Sequence, residues 1–269
     1  MKTRIIVGAV IAVALLALCF LCTPVIRLAV FALLAVVAVH EMYDALKAGG
    51  YRPFRIPAYL CAALLAPACY KGGDFAMLLL MVGAMAVFVD RVFSKTRTTK
   101  DMLASLVPYA YPLPFFAVIC LALSNPDPIG STVLISGIAY ACITDVCAYF
   151  TGYFCGKHKL CPEISPKKTV EGAVGGFVCS VAIGAPAVYF LQFLWGGVCS
   201  IWFYLLCGLF CSIAGQIGDL AASIVKREMG IKDYGWVFPG HGGVMDRFDS
   251  ILFSVPTAYI IYMLVFRLV

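Results

Sequence analysis

Long apolar runs divided by short charged or turn-rich stretches set the pattern of this chain. Residues 5–26 are uncharged, and residues 27–40 form a second run beyond Pro24. Runs at 56–70 and 75–89 are parted by Lys71-Gly72-Gly73-Asp74. Runs at 102–126 and 128–144 meet at Ser124-Asn125-Pro126-Asp127-Pro128. Residues 172–218 carry no charge and are long enough for two runs, with Trp195-Gly196-Gly197 as the turn; 250–266 is the last run. A helix needs about 20 apolar residues to cross roughly 30 Å of hydrocarbon. The pattern therefore predicts an all-α, polytopic membrane protein with about nine spanning helices.

Composition agrees. Hydrophobic residues make up 63% of the chain and charged residues 13%, against about 25% charged in soluble domains. A water-soluble globule, a disordered chain and a nucleic-acid binder are excluded at this step. The 13 cysteines are odd in number and lie mostly in apolar runs, where they act as small hydrophobes rather than a disulfide framework. Residues 5–26 exceed a signal-peptide core and end in no small-x-small site, which favours a retained first helix.

The basic residues fix an orientation. With nine spans and a cytoplasmic N-terminus, one face collects Lys2, Arg4, Lys47, Arg52, Arg55, Arg91, Lys95, Arg97, Lys100, Lys157, Lys159, Lys167, Lys168, Lys226, Arg227, Lys232 and Arg247. Only Arg27, Lys71 and Arg267 fall on the other, the asymmetry expected of cytoplasmic loops. We divide the chain into N-terminal membrane helices, residues 1–127, and a region carrying the chemistry, residues 128–269.

Polarity concentrates in that second region. Asp145, Tyr149, Gly152 and Gly156 share one helical face; a glycine packing stripe explains the small residues but not a carboxylate near membrane depth. Ser165-Pro166-Lys167-Lys168-Thr169-Val170-Glu171-Gly172 offers two lysines and a hydroxyl beside a helix start, a setting for a phosphate. Lipid-binding lysines and a Thr169 cap are the plainer reading of the same residues. The segment is not a Walker loop, because Gly152 to Lys157 has the wrong glycine spacing and His158 stands where Ser or Thr is required. Ser212, Gln216, Asp219, Ser223 and Lys226 form a polar stripe of the kind that faces a hydrated cavity or an ion. Beyond it, the glycine-rich loop 230–244 leads to Asp246 and Asp249, which share the start of the last span. Helix-terminal carboxylates are favoured there in any case; beside Asp219 they would make a hard oxygen site suited to Mg²⁺. Three histidines and a lone Cys19-x-x-Cys22 give a zinc site little material.

Ser223-x-x-Lys226-Arg227, Lys232-Asp233 and Pro239-x-His241-Gly242-Gly243-x-x-Asp246-Arg247-x-Asp249 together resemble the signature of the phosphatidate cytidylyltransferases, or CDP-diacylglycerol synthases. The Asp145–Lys157 and Ser165–Gly172 segments are similar to the same family. Tyr234, where a small residue is expected, and Cys155, where an aromatic is usual, depart from it. The resemblance implies transfer of a cytidylyl group from CTP to phosphatidic acid at the cytoplasmic ends of the C-terminal helices. It implies Mg²⁺, with room for a second cation, on Asp219, Asp246 and Asp249, with Asp145 and Glu171 as further candidates. Lys167, Lys168, Lys226, Arg227 and Arg247 would hold phosphates. Ser165, Thr169, Ser223, Lys232, His241, Gly242 and Gly243 would complete the substrate sites. A homodimer follows from the same resemblance, and the cell membrane (the inner membrane of a Gram-negative cell) is the expected location over internal membranes. The alternatives are a cytidylyltransferase for another lipid phosphate, an ion-coupled transporter, whose acids would sit at midplane of several spans, and a structural lipid-interaction protein, which has no need of clustered carboxylates.

Overall fold

The computed structural model describes the chain except residues 1–9, 11, 12, 16, 20, 126, 127, 195–198, 268 and 269. Much of the first expected span, the Trp195-Gly196-Gly197 turn and Pro126-Asp127 therefore lie outside the described residues. Among those described, seven helices are long and apolar enough to cross a membrane.

The chain forms two compact units. The first contains the described residues up to Ser124 together with Val225–Arg247. It opens with α1, Pro24–Ala48, begun by Pro24 and by the Thr23 hydroxyl, which accepts from the Ile26 N–H. The second apolar run, expected to end near His40, thus continues for two more turns. The run at 56–70 is not one helix but two, α2 (Ile56–Ala63) and α3 (Leu65–Lys71). Pro67 explains the break: it has no N–H for the Ala63 carbonyl and its ring crowds that carbonyl. α4 (Gly73–Phe93) and the pair α5 (Thr99–Ala110) and α6 (Leu113–Ser124) complete the set. A capping box starts α5, with Thr98 and Asp101 serving each other's backbone N–H. α1 packs against α2, α3, α5 and α6 and holds the core of this unit.

The second unit runs from Asn125 to Ile224 with Phe248 to the C-terminus. α7 (Ile129–Cys155) reaches well past Thr144, so Asp145, Tyr149 and Gly152 stand on one continuous helix. An antiparallel hairpin, β1 (Lys159–Cys161) and β2 (Ser165–Thr169), interrupts the otherwise helical chain. Next come α8 (Val170–Cys179), a π-helical turn (Ser180–Gly184) and α9 (Ala185–Leu194). Pro186 cannot donate to the carbonyl one turn back, and the wider turn absorbs that gap by letting Ala185 N–H reach Ser180 O. α10 (Ile201–Glu228) and α11 (Met245–Arg267) follow. Side chains tie these helices together where lipid offers no partner. Buried Gln192 donates to Thr132 O and Ser136 Oγ and accepts from Tyr204. Cys211 and Ser254 exchange bonds between α10 and α11.

Candidate active site

The second unit contains a cleft of about 560 Å³ between α7, the hairpin, the start of α8 and α10. Its lining includes Asp145, Lys159, Lys167, Lys168, Thr169, Gln216 and Asp219. Lys168 Nζ lies 2.5 Å from Asp219 Oδ2, both side chains about a quarter exposed. Ser223 Oγ donates to the other Asp219 oxygen at 3.4 Å, and Gln216 is held by the carbonyls of Ala173 and Ser212. Asp145 is exposed on the cleft wall. The lysines arrive on β2 because the hairpin folds their loop back alongside Lys159–Cys161.

Close helix approach makes this cleft. α7 and α8 pack against each other extensively. A Cβ at Gly172 would sit 2.7 Å from Ala148 O and 2.9 Å from Thr169 Oγ1. Thr169 Oγ1 is the cap of α8, accepting from the Gly172 N–H at 3.1 Å. Gly172→Ala should therefore lower stability by about 1–3 kcal/mol through overpacking, read as a lower unfolding temperature in detergent.

Other residues singled out in the sequence stand elsewhere. Glu171 is not in the cleft lining; its carboxylate accepts from the N–H groups of Lys157 and His158 and pairs with His158 Nδ1 at 2.6 Å. It fastens the start of the hairpin to α8. Ser165 pairs with Cys161 in the hairpin. Asp249 is on α11, where its Oδ1 accepts from Ser250 N–H.

The first unit contains the rest of the signature. Lys226 Nζ meets Asp246 Oδ1 at 2.8 Å, with side chains only 12% and 3% exposed. Asp246 Oδ2 accepts from the N–H groups of Tyr234 and Gly243 at 2.7 and 3.0 Å. Donors in this number offset the cost of burying the carboxylate. Gly242 has φ +84°, and a Cβ there would also strike Asp246. Tyr234, the departure from the family pattern, is buried with its ring 5.5 Å from Lys226 Nζ. It adds a cation–π contact to the ion pair. His241 Nδ1 is buried without a hydrogen-bond partner among the described residues. Arg227, Lys232 and Arg247 are exposed.

Glu41 was not singled out in the sequence. It is 3% exposed on α1, and its two oxygens accept from the N–H groups of Val244 and Met245 at 2.9 and 2.8 Å. These are donors at the start of α11 that the helix itself cannot satisfy. Gly243 and Gly235 press on the same carboxylate, and a Cβ on either would overlap it. Glu41 thereby fixes the backbone that carries Asp246.

Among the described residues no three acids, histidines or cysteines converge as a metal cluster. The cleft nevertheless places the carboxylates of Asp145 and Asp219 and the Gln216 amide on one wall system. Mg²⁺ takes one or two carboxylates and completes its shell with water and substrate phosphates, so this hard-oxygen set fits it.

The cytidylyltransferase family model matches residues 2–265. Phosphatidate cytidylyltransferase of Staphylococcus haemolyticus is 47% identical over 114 residues, 42% of this chain and 42% of that protein. Proteins of the same name from Staphylococcus aureus and Staphylococcus saprophyticus are 46% identical over 114 residues, with the same coverage. The matched stretch thus spans less than half the length of those relatives. With the family model running almost from end to end, the chain belongs to the cytidylyltransferase family.

Proposed function

We propose that the protein transfers a cytidylyl group from CTP to phosphatidic acid, giving CDP-diacylglycerol and pyrophosphate. The observation that carries this reading is the cleft, where Lys168 and Asp219 pair beside Lys167 and Asp145. A phosphate oxygen of phosphatidic acid attacks the α-phosphorus of CTP, and the bond from that phosphorus to the bridging oxygen breaks as pyrophosphate leaves. The attacking oxygen is already anionic, so no strong base is needed. The protein must position two anions in line and neutralise them. Lys167 and Lys168 suit the phosphates, as point charges on flexible stems. Asp145, Asp219 and Gln216 would hold Mg²⁺, which supplies neutralisation of the triphosphate and of the leaving pyrophosphate. Asp246 and Asp249 enter this assignment, with Arg227 and Arg247 for phosphate, on the signature alone. His241, with an unpartnered buried nitrogen, is a donor or acceptor available to a ligand.

The same reading has the cleft facing the cytoplasm, as the distribution of basic residues supports, in a nine-span homodimer of the cell membrane. Family membership argues against a transporter; another lipid phosphate as acceptor is the second reading.

Purified protein in detergent, given labelled CTP, phosphatidic acid and Mg²⁺, should form CDP-diacylglycerol and pyrophosphate, and chelation should stop both. Absence of product across lipid and salt conditions would refute the reading. Product from a different lipid phosphate only would select the second.

A further inference from the structure

The first unit has a basic cavity that the proposed reaction does not use. It measures about 350 Å³ and is lined by Lys47, Tyr51, Arg52, Arg55, Thr96 and Arg97, together with Pro53. A second hollow shares Tyr51, Arg52 and Thr96 and adds Lys100 and Asp101. Four cations around one hollow repel one another, so the fold must hold them there.

It does so from behind. Arg55 Nη1 binds Asp44 at 2.7 Å and its Nη2 reaches Tyr43 O. Arg97 pairs with Asp90 at 2.5 Å and lies 4.8 Å over the Phe54 ring. The intervening loop is pinned as well: Arg52 N–H donates to Asp101 and Phe54 N–H to Ser105, each at 2.8 Å. Asp101 also serves as the α5 capping acid, bound by Thr98. Two guanidiniums are thus locked by one carboxylate each, while Lys47 and Arg52 have no side-chain ion pair among the described residues. Asp101, which accepts the Arg52 N–H and is bound by Thr98, is the carboxylate nearest Arg52 by these contacts, so the four cations of the cavity outnumber the three carboxylates that hold them. A topological signal needs lysines and arginines in the loop; it does not need a hollow whose arginines are fixed in advance.

Exposed apolar residues close in sequence to the lining point to the source of the anion. Val92 and Phe93, just before the Ser94–Arg97 stretch, are 77% and 79% exposed, and Ile56, just after Arg55, is 60% exposed. Apolar side chains at helix ends beside a basic hollow fit a molecule with an acyl part and a phosphate. A soluble phosphate would gain nothing from that border.

We propose that this cavity holds the phosphate of a membrane glycerolipid, with Lys47 and Arg52 as its principal contacts. The site is independent of cytidylyl transfer, and its test is independent too. Native mass spectrometry of the detergent-purified protein with phosphatidylglycerol or phosphatidylcholine reads it directly. Wild-type protein should retain one more phosphatidylglycerol than the Lys47→Ala/Arg52→Ala variant, and phosphatidylcholine retention should not differ. Lys47→Arg/Arg52→Lys should restore the extra lipid, which also controls for folding. Turnover of CTP and phosphatidic acid should be the same in all three proteins in phosphatidylcholine vesicles. Equal phosphatidylglycerol retention by wild type and the alanine variant would overturn the proposal. Release of the bound lipid by inorganic phosphate would also overturn it, assigning the cavity to a soluble anion.

Discussion

Asp219→Asn should lower kcat about a hundredfold to a thousandfold, the range for loss of one preorganised electrostatic contact in an active site. KM for CTP should change little, because a group needed chiefly in the transition state contributes little to ground-state binding. The substitution keeps the shape of the side chain and removes its charge. It deprives Lys168 of its counter-ion and, in the proposed assignment, Mg²⁺ of a ligand. Lys168→Met separates these effects. It too should slow turnover, but its dependence on Mg²⁺ concentration should stay near wild type, whereas Asp219→Asn should need much more Mg²⁺. Steady-state kinetics over a Mg²⁺ series distinguishes them. Full activity of Asp219→Asn would remove Asp219 from the mechanism while leaving the reaction itself standing.

Glu41→Gln should be the most damaging substitution away from the cleft. The carboxylate accepts two buried backbone N–H groups, and hydrogen bonds to a charged group are worth about 1.5–3 kcal/mol each. Glutamine offers one acceptor and turns an NH₂ toward the other N–H, leaving a buried donor unsatisfied. A loss of about 3 kcal/mol is expected, read as a lower unfolding temperature. Hydrogen exchange should rise first at residues 235–247, because Glu41 clamps that loop. Glu41→Asp, which keeps both acceptors on a shorter arm, should recover part of the protection. Unchanged exchange in Glu41→Gln would show that the loop is held by other contacts.

Much of the helical architecture is legible in the apolar runs, because a span must bury its backbone bonds internally and so needs an unbroken apolar stretch. Local chemistry decides the departures. Pro67 splits the third run, and Pro186 brings a π-helical turn into the seventh. β2 reads Ser-Pro-Lys-Lys-Thr, with no apolar alternation to mark a strand, so the hairpin was illegible. The stripe on α10 and the face of α7 were legible because helical spacing is local, and the structure brings Asp145, Lys167, Lys168, Thr169 and Asp219 to one cleft. Glu41 escaped for two reasons. Its partners lie more than 200 residues away, and the apolar run itself ends near His40, which leaves this acid in the following loop on a reading by hydropathy. Since α1 continues to Ala48, Glu41 is a carboxylate within a helix long and apolar enough to cross a membrane, a setting in which an acid signals function.

In the free cleft Lys168 and Asp219 neutralise each other, so a new charged ligand on either competes with the charge of the other. A triphosphate that draws Lys168 away uncovers Asp219 for a cation, and a cation at Asp219 releases Lys168 for a phosphate. The two ligands are then thermodynamically linked: whatever factor the cation adds to nucleotide affinity, the nucleotide must add to cation affinity. Calorimetric titrations in both orders should yield one coupling energy, and Lys168→Met should diminish it. The ion pair would thus discourage either ligand from occupying the cleft alone.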